Sequence, residues 1–221
     1  MSIKNEILRL HSELPEGVSL VAVSKFHPVS AIAEAYEAGQ RLFGESRVQE
    51  LLAKIPQLPE DIRWHFIGHL QTNKVRQLIG RTSLIESVDS DRLLEVIDSE
   101  SRKAGVVTRV LLQVHVAREE TKFGYTPEEL TAYFDERRFE KLTNTHICGL
   151  MAMASNTDDT ERVRADFAEA ASLFRRIAGN EAYGLRGFDI LSMGMSGDWP
   201  LAVEEGSRMV RIGSAIFGAR L

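Results

Sequence analysis

The chain has 221 residues, 43% of them hydrophobic and 27% charged, and its formal net charge is −5 at pH 7. This composition is typical of one globular domain, here residues 1–221, and an acidic chain without a basic cluster excludes a nucleic-acid-binding or anionic-membrane-binding role. The single cysteine, Cys148, excludes an internal disulfide and a multi-cysteine metal site, which suits a reducing compartment.

The first residues lack the apolar core of a secretory signal, and no run reaches the roughly twenty apolar residues of a membrane-spanning helix. We therefore expect a soluble, cytoplasmic and monomeric protein without a membrane partner. The pattern of histidines and carboxylates predicts no metal site.

Helical and strand-like patterns alternate along the chain. Apolar residues recur at helical spacing from residue 3 to residue 14, so an amphipathic helix precedes the first strand. Short apolar runs typical of buried strands follow at residues 20–25, 41–43, 62–67, 83–85, 106–116, 143–150, 188–191 and 208–212. Each run precedes a helical pattern, and the clearest helix start is at Thr126, Pro127 and Glu129, which supply a cap, a first-turn proline and a third-position glutamate.

Eight strand–helix repeats without a hairpin signal predict an α/β fold, a (β/α)8 TIM barrel, with an extra helix at the amino terminus. A doubly wound open sheet is the alternative. The length is near the lower end for a barrel, which leaves no room for a second domain of ordinary size.

Lys25 stands at the carboxyl end of the first strand, and Pro28 suits the first position of the next helix. A lysine at the mouth of an α/β fold is a candidate Schiff-base nucleophile, provided that burial or nearby cations lower the pKa of its amine. A solvated loop lysine is the alternative, and for a lone lysine it is the favoured one.

Two glycine-rich segments, residues 191–198 and 211–218, follow the last two strands. Barrels frequently bind phosphate with the loops after strands seven and eight and the start of a short helix. Glycines let backbone N–H groups approach an anion, and Ser192 and Ser214 offer hydroxyl donors. Ordinary tight turns are the alternative for either segment alone, but their joint position favours a phosphate site.

A lysine after strand one and a phosphate site after strands seven and eight define a ligand with a carbonyl at one end and a phosphate at the other. Pyridoxal 5'-phosphate (PLP) fits this description. Arg211 would lie beneath the ring and donate a hydrogen bond to the pyridine nitrogen, which keeps the ring neutral and disfavours a long-lived carbanion. Pairing of Arg211 with a barrel carboxylate is the alternative, and from spacing alone it is at least as well supported.

Five groups of residues match one known family in order: Ala22-Val23-Ser24-Lys25; Phe43-Gly44-Glu45 with Val48-Gln49-Glu50; Trp64-His65-Phe66-Ile67-Gly68 with Leu70-Gln71-Thr72-Asn73-Lys74; Leu191-Ser192-Met193-Gly194-Met195-Ser196; and Val210-Arg211-Ile212-Gly213 with Ile216-Phe217-Gly218. On these residues the whole chain resembles the pyridoxal phosphate homeostasis proteins, single-domain relatives of the barrel half of alanine racemase.

The resemblance implies that Lys25 forms a Schiff base with PLP, that Arg211 faces the pyridine nitrogen, and that Ser192, Gly213 and Ser214 hold the phosphate. It also implies a protein without an established catalytic activity, which delivers PLP to PLP-dependent apo-enzymes and influences vitamin B6 and amino-acid pools.

One position departs from the family pattern. Relatives commonly carry asparagine where this chain has Ser46. We count Ser46 among the cofactor-binding residues, with the amide contact near the ring absent or replaced by water.

A PLP-dependent amino-acid racemase is the second hypothesis. Racemases of this barrel type receive a second acid/base, a tyrosine, from an additional carboxyl-terminal domain, whereas this chain ends at Leu221, directly after the barrel. Of its four tyrosines, only Tyr125 is expected on a mouth loop. A phosphate-binding barrel that never uses an aldehyde is the third hypothesis.

Other candidate residues have simpler interpretations. His65 and His69 are expected to be rim or cap residues of the third strand, because Gly68 argues against one helical face presenting both to a metal. Cys148 is expected in the core. Met151 and Met153 either line the pocket or fill the core.

The loop at residues 119–124 follows strand five on the mouth side, where it could gate the site. Lys122 within it, like Lys74, is most simply solvated.

Overall fold

The computed structural model describes residues 2–117 and 123–218. Within these ranges the strands are β1 (Ser19–Val23), β2 (Leu42–Glu45), β3 (Arg63–Phe66), β4 (Leu84–Val88), β5 (Thr108–Val114), β6 (Thr145–Ala152), β7 (Ile190–Ser192) and β8 (Met209–Ile212). The α-helices are α1 (Ile3–Glu13), α2 (Val29–Glu37), α3 (Val48–Lys54), α4 (Val75–Leu78), α5 (Asp91–Ala104), α6 (Pro127–Asp135), α7 (Thr160–Ala178), α8 (Trp199–Glu204) and α9 (Ser214–Phe217).

The strands close into a barrel. Each pairs in parallel with the next, and β8 pairs with β1, with Val21 opposite Arg211. This confirms the predicted TIM barrel and excludes the open sheet. The additional helix α1 packs against α2 and α9 on the outside.

Helix boundaries follow the capping residues of the sequence. At α6, the Thr126 hydroxyl accepts from the Glu129 N–H and the Glu129 carboxylate accepts from the Thr126 N–H, so the predicted capping box is present. Ser90 caps α5 through the Leu93 N–H, and Gly105 ends that helix in the left-handed conformation.

Several strand boundaries differ from the prediction. Strand β4 extends to Val88, past the predicted end at residue 85, although it contains Glu86 and Ser87. Both polar residues are buried, because Glu86 has partners inside the barrel and the Ser87 hydroxyl donates to the Gly68 carbonyl. The helical pattern that follows the run at residues 62–67 forms a 3₁₀ turn, Thr72–Lys74, and then the single turn of α4.

Apolar side chains form two clusters. The larger joins the outward faces of the strands to the helices. The smaller consists of strand residues only and therefore fills the inside of the barrel; its buried members are Val21, Leu84, Leu111, Cys148, Met151 and Met209. Cys148 is a core residue, as predicted, and burial raises the pKa of its thiol despite a hydrogen bond from Arg109.

Across the described ranges, the model contains no helix that is both long enough and apolar enough to span a bilayer. Those same ranges bring together no group of three or more histidine, cysteine or acidic side chains able to hold a metal ion.

Candidate functional site

A cavity of about 310 Å³ opens at the carboxyl ends of the strands. Its lining comes from residues at or just after the carboxyl ends of β1, β2, β3, β6, β7 and β8: Val23, Lys25, His27, Ser46, Ile67, Met153, Met195, Ser196, Gly197, Arg211, Gly213, Ser214 and Gly218. Five of the six predicted site residues therefore meet in one place, and Ser192 is the exception.

Lys25 is positioned by the alternation of β1. Val21 lies in the barrel interior and Val23 lines the cavity, so the side chain two residues further also faces inward. The turn after it is sharp. Phe26 has a φ of 69°, a left-handed conformation that is uncommon outside glycine, and the His27 N–H donates to the Ser24 carbonyl at 3.1 Å.

A buried lysine on α3 holds this turn in place. The Lys54 ammonium donates to the Ser24 carbonyl at 2.9 Å and to one oxygen each of Glu45 and Glu50 at 2.6 Å. Glu45 also accepts from the Ser24 hydroxyl, and Glu50 accepts from the Phe26 N–H, both at 2.6 Å. The residues on both sides of the site lysine are thus fixed to one charged cluster, which we call the Lys54 cluster (Ser24, Glu45, Glu50 and Lys54).

Burial raises the pKa of Glu45 above its ordinary value, although hydrogen bonds from Lys54 and Ser24 oppose this effect. Lys54 was not among the predicted site residues. The four-residue spacing of Glu50 and Lys54 on a helix was the available signal, but the same spacing is common on solvated helix faces.

Arg211, at the end of β8, lines the cavity from below and is 4% exposed. Its guanidinium donates to the Ser192 hydroxyl at 2.6 Å and to the Ala152 carbonyl at 2.8 Å, and it lies 3.9 Å from a Glu86 oxygen. Arg211 therefore neighbours a barrel carboxylate, as the alternative interpretation expected, and it also faces the cavity; its hydrogen bond to a pyridine nitrogen stays a prediction. Burial lowers the pKa of Arg211, while the charges of Glu86 and Asp198 act in the opposite direction.

Ser192 does not line the cavity, which corrects the expectation that its hydroxyl faces a phosphate. It is fully buried, and its hydroxyl donates to Glu86 at 2.6 Å while accepting from Arg211. The reason is that β7 continues through Ser192, so this side chain points into the barrel beneath the cavity. Ser192 is a positioning residue for Arg211.

His65 is also inside the barrel and not at the rim, where it was predicted. It is 4% exposed, and its Nδ1 lies 2.7 Å from the second oxygen of Glu86. Burial by itself would raise the pKa of Glu86, but the interactions with His65, Arg211 and Ser192 outweigh it and lower that pKa. Arg211, Ser192, Glu86 and His65 form one hydrogen-bonded chain, which we call the barrel chain.

The two glycine-rich segments meet at one side of the cavity. The Ser196 hydroxyl accepts hydrogen bonds from the Gly213 N–H at 3.2 Å and the Ala215 N–H at 3.3 Å. A Cβ on Gly213 would lie 3.1 Å from the Val23 carbonyl oxygen, so glycine permits the close approach of this segment to β1. Ser196 lies in the first glycine-rich segment, residues 191–198, but it was not predicted as a site residue.

Ser46 and Met153 line the cavity, whereas Met151 is buried in the barrel interior. The predicted consequence of Ser46 for a bound ring stays a prediction. Tyr125 is 6% exposed, and its hydroxyl donates to Asp91 at 2.9 Å. None of the tyrosines in the described ranges lines the cavity.

His69 is exposed; its Nδ1 contacts Asp89 at 2.9 Å and its ring stacks on Phe123 at 4.0 Å. Residues 119–122 of the predicted gating loop, including Lys122, lie outside the described residues, so gating stays a prediction.

The closed parallel barrel, with a lysine after its first strand, defines the class of protein to which the chain belongs. The family model described as alanine racemase, N-terminal domain, matches residues 1–221, so the chain belongs to this family. Within the class, the chain is a member of the pyridoxal phosphate homeostasis proteins. The protein of that name from Aquifex aeolicus is 40% identical over 202 residues, which cover 91% of this chain and 86% of the relative.

Solved structures agree with this assignment. PipY of Synechococcus elongatus PCC7942, solved without PLP, superposes with a TM-score of 0.92 and 40% identity over 98% of this chain and 100% of PipY. The PLP-bound structure of PipY gives a TM-score of 0.88 and 39% identity over the same shares of both chains. Alanine racemase from E. faecalis has a TM-score of 0.74 at 18% identity, over 98% of this chain and 57% of the racemase, and shares the fold alone.

Proposed function

We propose that this protein binds PLP in the cavity at the carboxyl ends of the strands, holds it as a Schiff base on Lys25, and delivers it to PLP-dependent apo-enzymes. Its role would be in vitamin B6 and amino-acid homeostasis. The observation that supports the proposal most is the meeting of an amine, a guanidinium and a hydroxyl–glycine segment around one cavity. PipY, whose whole chain superposes on this one, is a PLP-bound relative.

The cavity suits PLP in size and in chemistry. A volume of about 310 Å³ is at the lower end for small-molecule sites and fits one substituted ring. When bound, PLP supplies an aldehyde that a lysine amine can attack and a ring that withdraws electrons. The protein supplies the amine from one side of the cavity and hydrogen-bond donors from the other.

The phosphate would lie against Ser196, Gly213 and Ser214. Because the Ser196 oxygen already accepts two backbone N–H groups, its own proton is left to donate to a phosphate oxygen. The Ser214 hydroxyl lines the same side. Ser192 takes no part in this contact; it holds the guanidinium of Arg211.

Arg211 would donate to the ring nitrogen. The Ser192 and Ala152 oxygens fix its guanidinium at the bottom of the cavity. A guanidinium is a permanent donor, so it would keep the ring neutral and a poorer electron sink. This arrangement favours binding over turnover.

The racemase hypothesis has less support within this chain. Two-sided proton transfer needs a second acid/base opposite Lys25, but the Tyr125 hydroxyl is committed to Asp91. Burial and the charge of Asp91 also raise the pKa of Tyr125, which makes it a poor base. We therefore propose a carrier without catalytic activity, and we keep the cytoplasmic location and the monomeric state as predictions.

The proposal is tested by the visible absorption spectrum of the protein mixed with PLP. Wild-type protein should be yellow, and borohydride should fix the label on Lys25. Lys25→Ala should abolish the band, whereas Lys141→Ala, at an exposed lysine outside the cavity, should leave it unchanged. A Lys25→Ala protein that keeps its colour would show that the lysine assignment is wrong.

Two further assays separate the hypotheses. PLP-loaded protein should activate an apo-enzyme faster than free PLP does at the same concentration. In a separate assay, it should not racemise amino acids faster than free PLP does. Racemisation clearly above that rate would favour the enzyme. Saturable phosphate binding with no absorption band would favour a barrel that uses no aldehyde.

A further inference from the structure

A second cavity, of about 300 Å³, lies at the opposite end of the barrel from Lys25. The first residues of six strands line it: Ser19, Leu42, Arg63, Leu84, Ile190 and Met209. It is therefore open at the amino ends of the strands. We call it the lower cavity.

The lower cavity is rich in positive charge. Arg63, Arg109 and Arg208 all line it, against a single acidic residue, Asp189. None of the three guanidinium groups forms an ion pair with a carboxylate of the described residues, although Asp189 lines the same cavity; Arg109 donates to the Cys148 sulfur at 3.2 Å. In a chain with a net charge of −5, such a local excess of cations favours anions.

The inner wall of the lower cavity carries a polar atom that lacks a partner. His65 lines the cavity and is 4% exposed. Its Nδ1 is engaged by Glu86 at 2.7 Å, whereas its Nε2 has no hydrogen-bond partner among the residues that the structure describes. This ring nitrogen is therefore open to a ligand that enters the lower cavity.

We propose that the lower cavity binds a small anion with phosphate or carboxylate groups, held by Arg63, Arg109 and Arg208 above His65. Guanidinium groups match both kinds of oxyanion, because their paired N–H donors fit two oxygens at once. The site does not depend on PLP binding at the other end of the barrel. Its inner wall is nevertheless the far end of the barrel chain, which holds Arg211 in the upper cavity.

Two histidines make the test site-specific. His65 lines the lower cavity and His27 lines the upper one. Pyrophosphate and citrate are titrated separately into the full-length protein at constant ionic strength, set with sodium chloride because screening weakens exposed pairs. Assigned imidazole NMR signals are followed. We expect a saturable shift of the His65 signals by at least one of the two anions, whether or not His27 also responds.

The matched variants remove positive charge either inside the lower cavity or outside it. Replacing Arg63, Arg109 and Arg208 together by glutamine should weaken the anion affinity read from His65 roughly tenfold or more, because each exposed charge-assisted contact contributes a few-fold. Arg76→Gln, at an arginine of an outer groove, should leave the affinity unchanged. If the triple variant does not fold, as judged by its thermal transition, Arg63→Gln and Arg208→Gln singly should each weaken binding about two- to fivefold.

The outcomes are separable. Tighter binding of pyrophosphate assigns a phosphorylated ligand, and tighter binding of citrate assigns a carboxylate ligand. Saturation that is seen on His27 alone would overturn the proposal, since the anion would then occupy only the upper cavity. Equal affinity of the wild-type and arginine-substituted proteins would also overturn it.

Discussion

Two serines four residues apart in one glycine-rich segment have different tasks, and the difference follows from the direction of each side chain. Ser192 ends β7 and points into the barrel, where it joins Glu86 to Arg211. Ser196 lies beyond the strand and faces the cavity, with its oxygen held by two backbone N–H groups. Each serine can therefore be removed to test one task.

Ser196→Ala should weaken PLP binding about tenfold, the effect of losing roughly one charge-assisted hydrogen bond, with little change in stability. Ser192→Ala should lower the free energy of unfolding by about 1–3 kcal/mol, because Glu86 and Arg211 each lose a buried partner. Fluorescence titration with PLP and urea unfolding measure the two effects. The same loss of PLP affinity in both variants, without destabilisation by Ser192→Ala, would contradict the assigned tasks.

At the scale of elements, helix α3 fixes the turn of Lys25 through the Lys54 cluster. Burial raises the pKa of Glu45 above its ordinary value of 4.5 despite the opposing hydrogen bonds from Lys54 and Ser24. The folded protein therefore holds a proton on Glu45 more tightly than the unfolded chain does. The contribution of Glu45 to the free energy of unfolding is fully present below pH 4.5 and is lost as the pH rises through the folded-state pKa.

Glu45→Gln should remove this pH dependence because glutamine does not titrate. The free energy of unfolding of the variant minus that of the wild type should rise above pH 4.5 and become level once Glu45 is ionised in the folded wild type. Urea unfolding at a series of pH values measures this difference. Glu45→Asp, which keeps a carboxyl group, is the control and should retain most of the wild-type dependence. If the free energy of unfolding of the variant minus that of the wild type fell as the pH rose, the pKa of Glu45 would not be raised in the folded protein.

One glycine fixes the register of neighbouring strands. Gly149 of β6 has a φ of 150°, and a Cβ there would lie 1.8 Å from the carbonyl oxygen of Ile190, its partner on β7. Gly149→Ala should therefore cost more than about 3 kcal/mol of stability. Gly197→Ala, at a glycine with nothing within 4 Å of the added Cβ, is the control and should stay near the wild-type value. Similar unfolding transitions for both variants would contradict this assignment.

The sequence allowed all eight strands to be predicted, because apolar runs and capping residues are local features. The predicted strand ends are wrong where polar residues lie inside the barrel. Glu86 and Ser192 resemble the ends of strands in the sequence, yet β4 and β7 include them, because partners from distant strands satisfy their polar groups. The sequence does not show which residues these partners are, because they come close only in the closed barrel. The same reasoning explains why Lys25 and Arg211 could be placed at the cavity, whereas the task of Ser192 could not.

At the scale of the whole molecule, the barrel chain joins side chains from β3, β4, β7 and β8, and its central carboxylate behaves oppositely to that of Glu45. Both glutamates are fully buried. For Glu86, however, the interactions with His65, Arg211 and Ser192 outweigh burial and lower the pKa. The contribution of Glu86 to stability is therefore present above its ordinary value of 4.5 and is lost as the pH falls through the folded-state pKa.

Glu86→Gln should cost about 3–5 kcal/mol near neutral pH, because it removes the anionic partner of the buried Arg211 guanidinium. On acidification below pH 4.5 this cost should shrink, since the wild type loses the contribution of Glu86 and the variant has none to lose. Urea unfolding at a series of pH values from neutral to acidic measures both the cost near neutral pH and its decrease on acidification. Glu45→Gln is the matched comparison, since its difference from the wild type should change above pH 4.5 and not below it. If the cost of Glu86→Gln stayed constant as the pH fell well below 4.5, Glu86 would not be the ionised centre of the chain that holds Arg211.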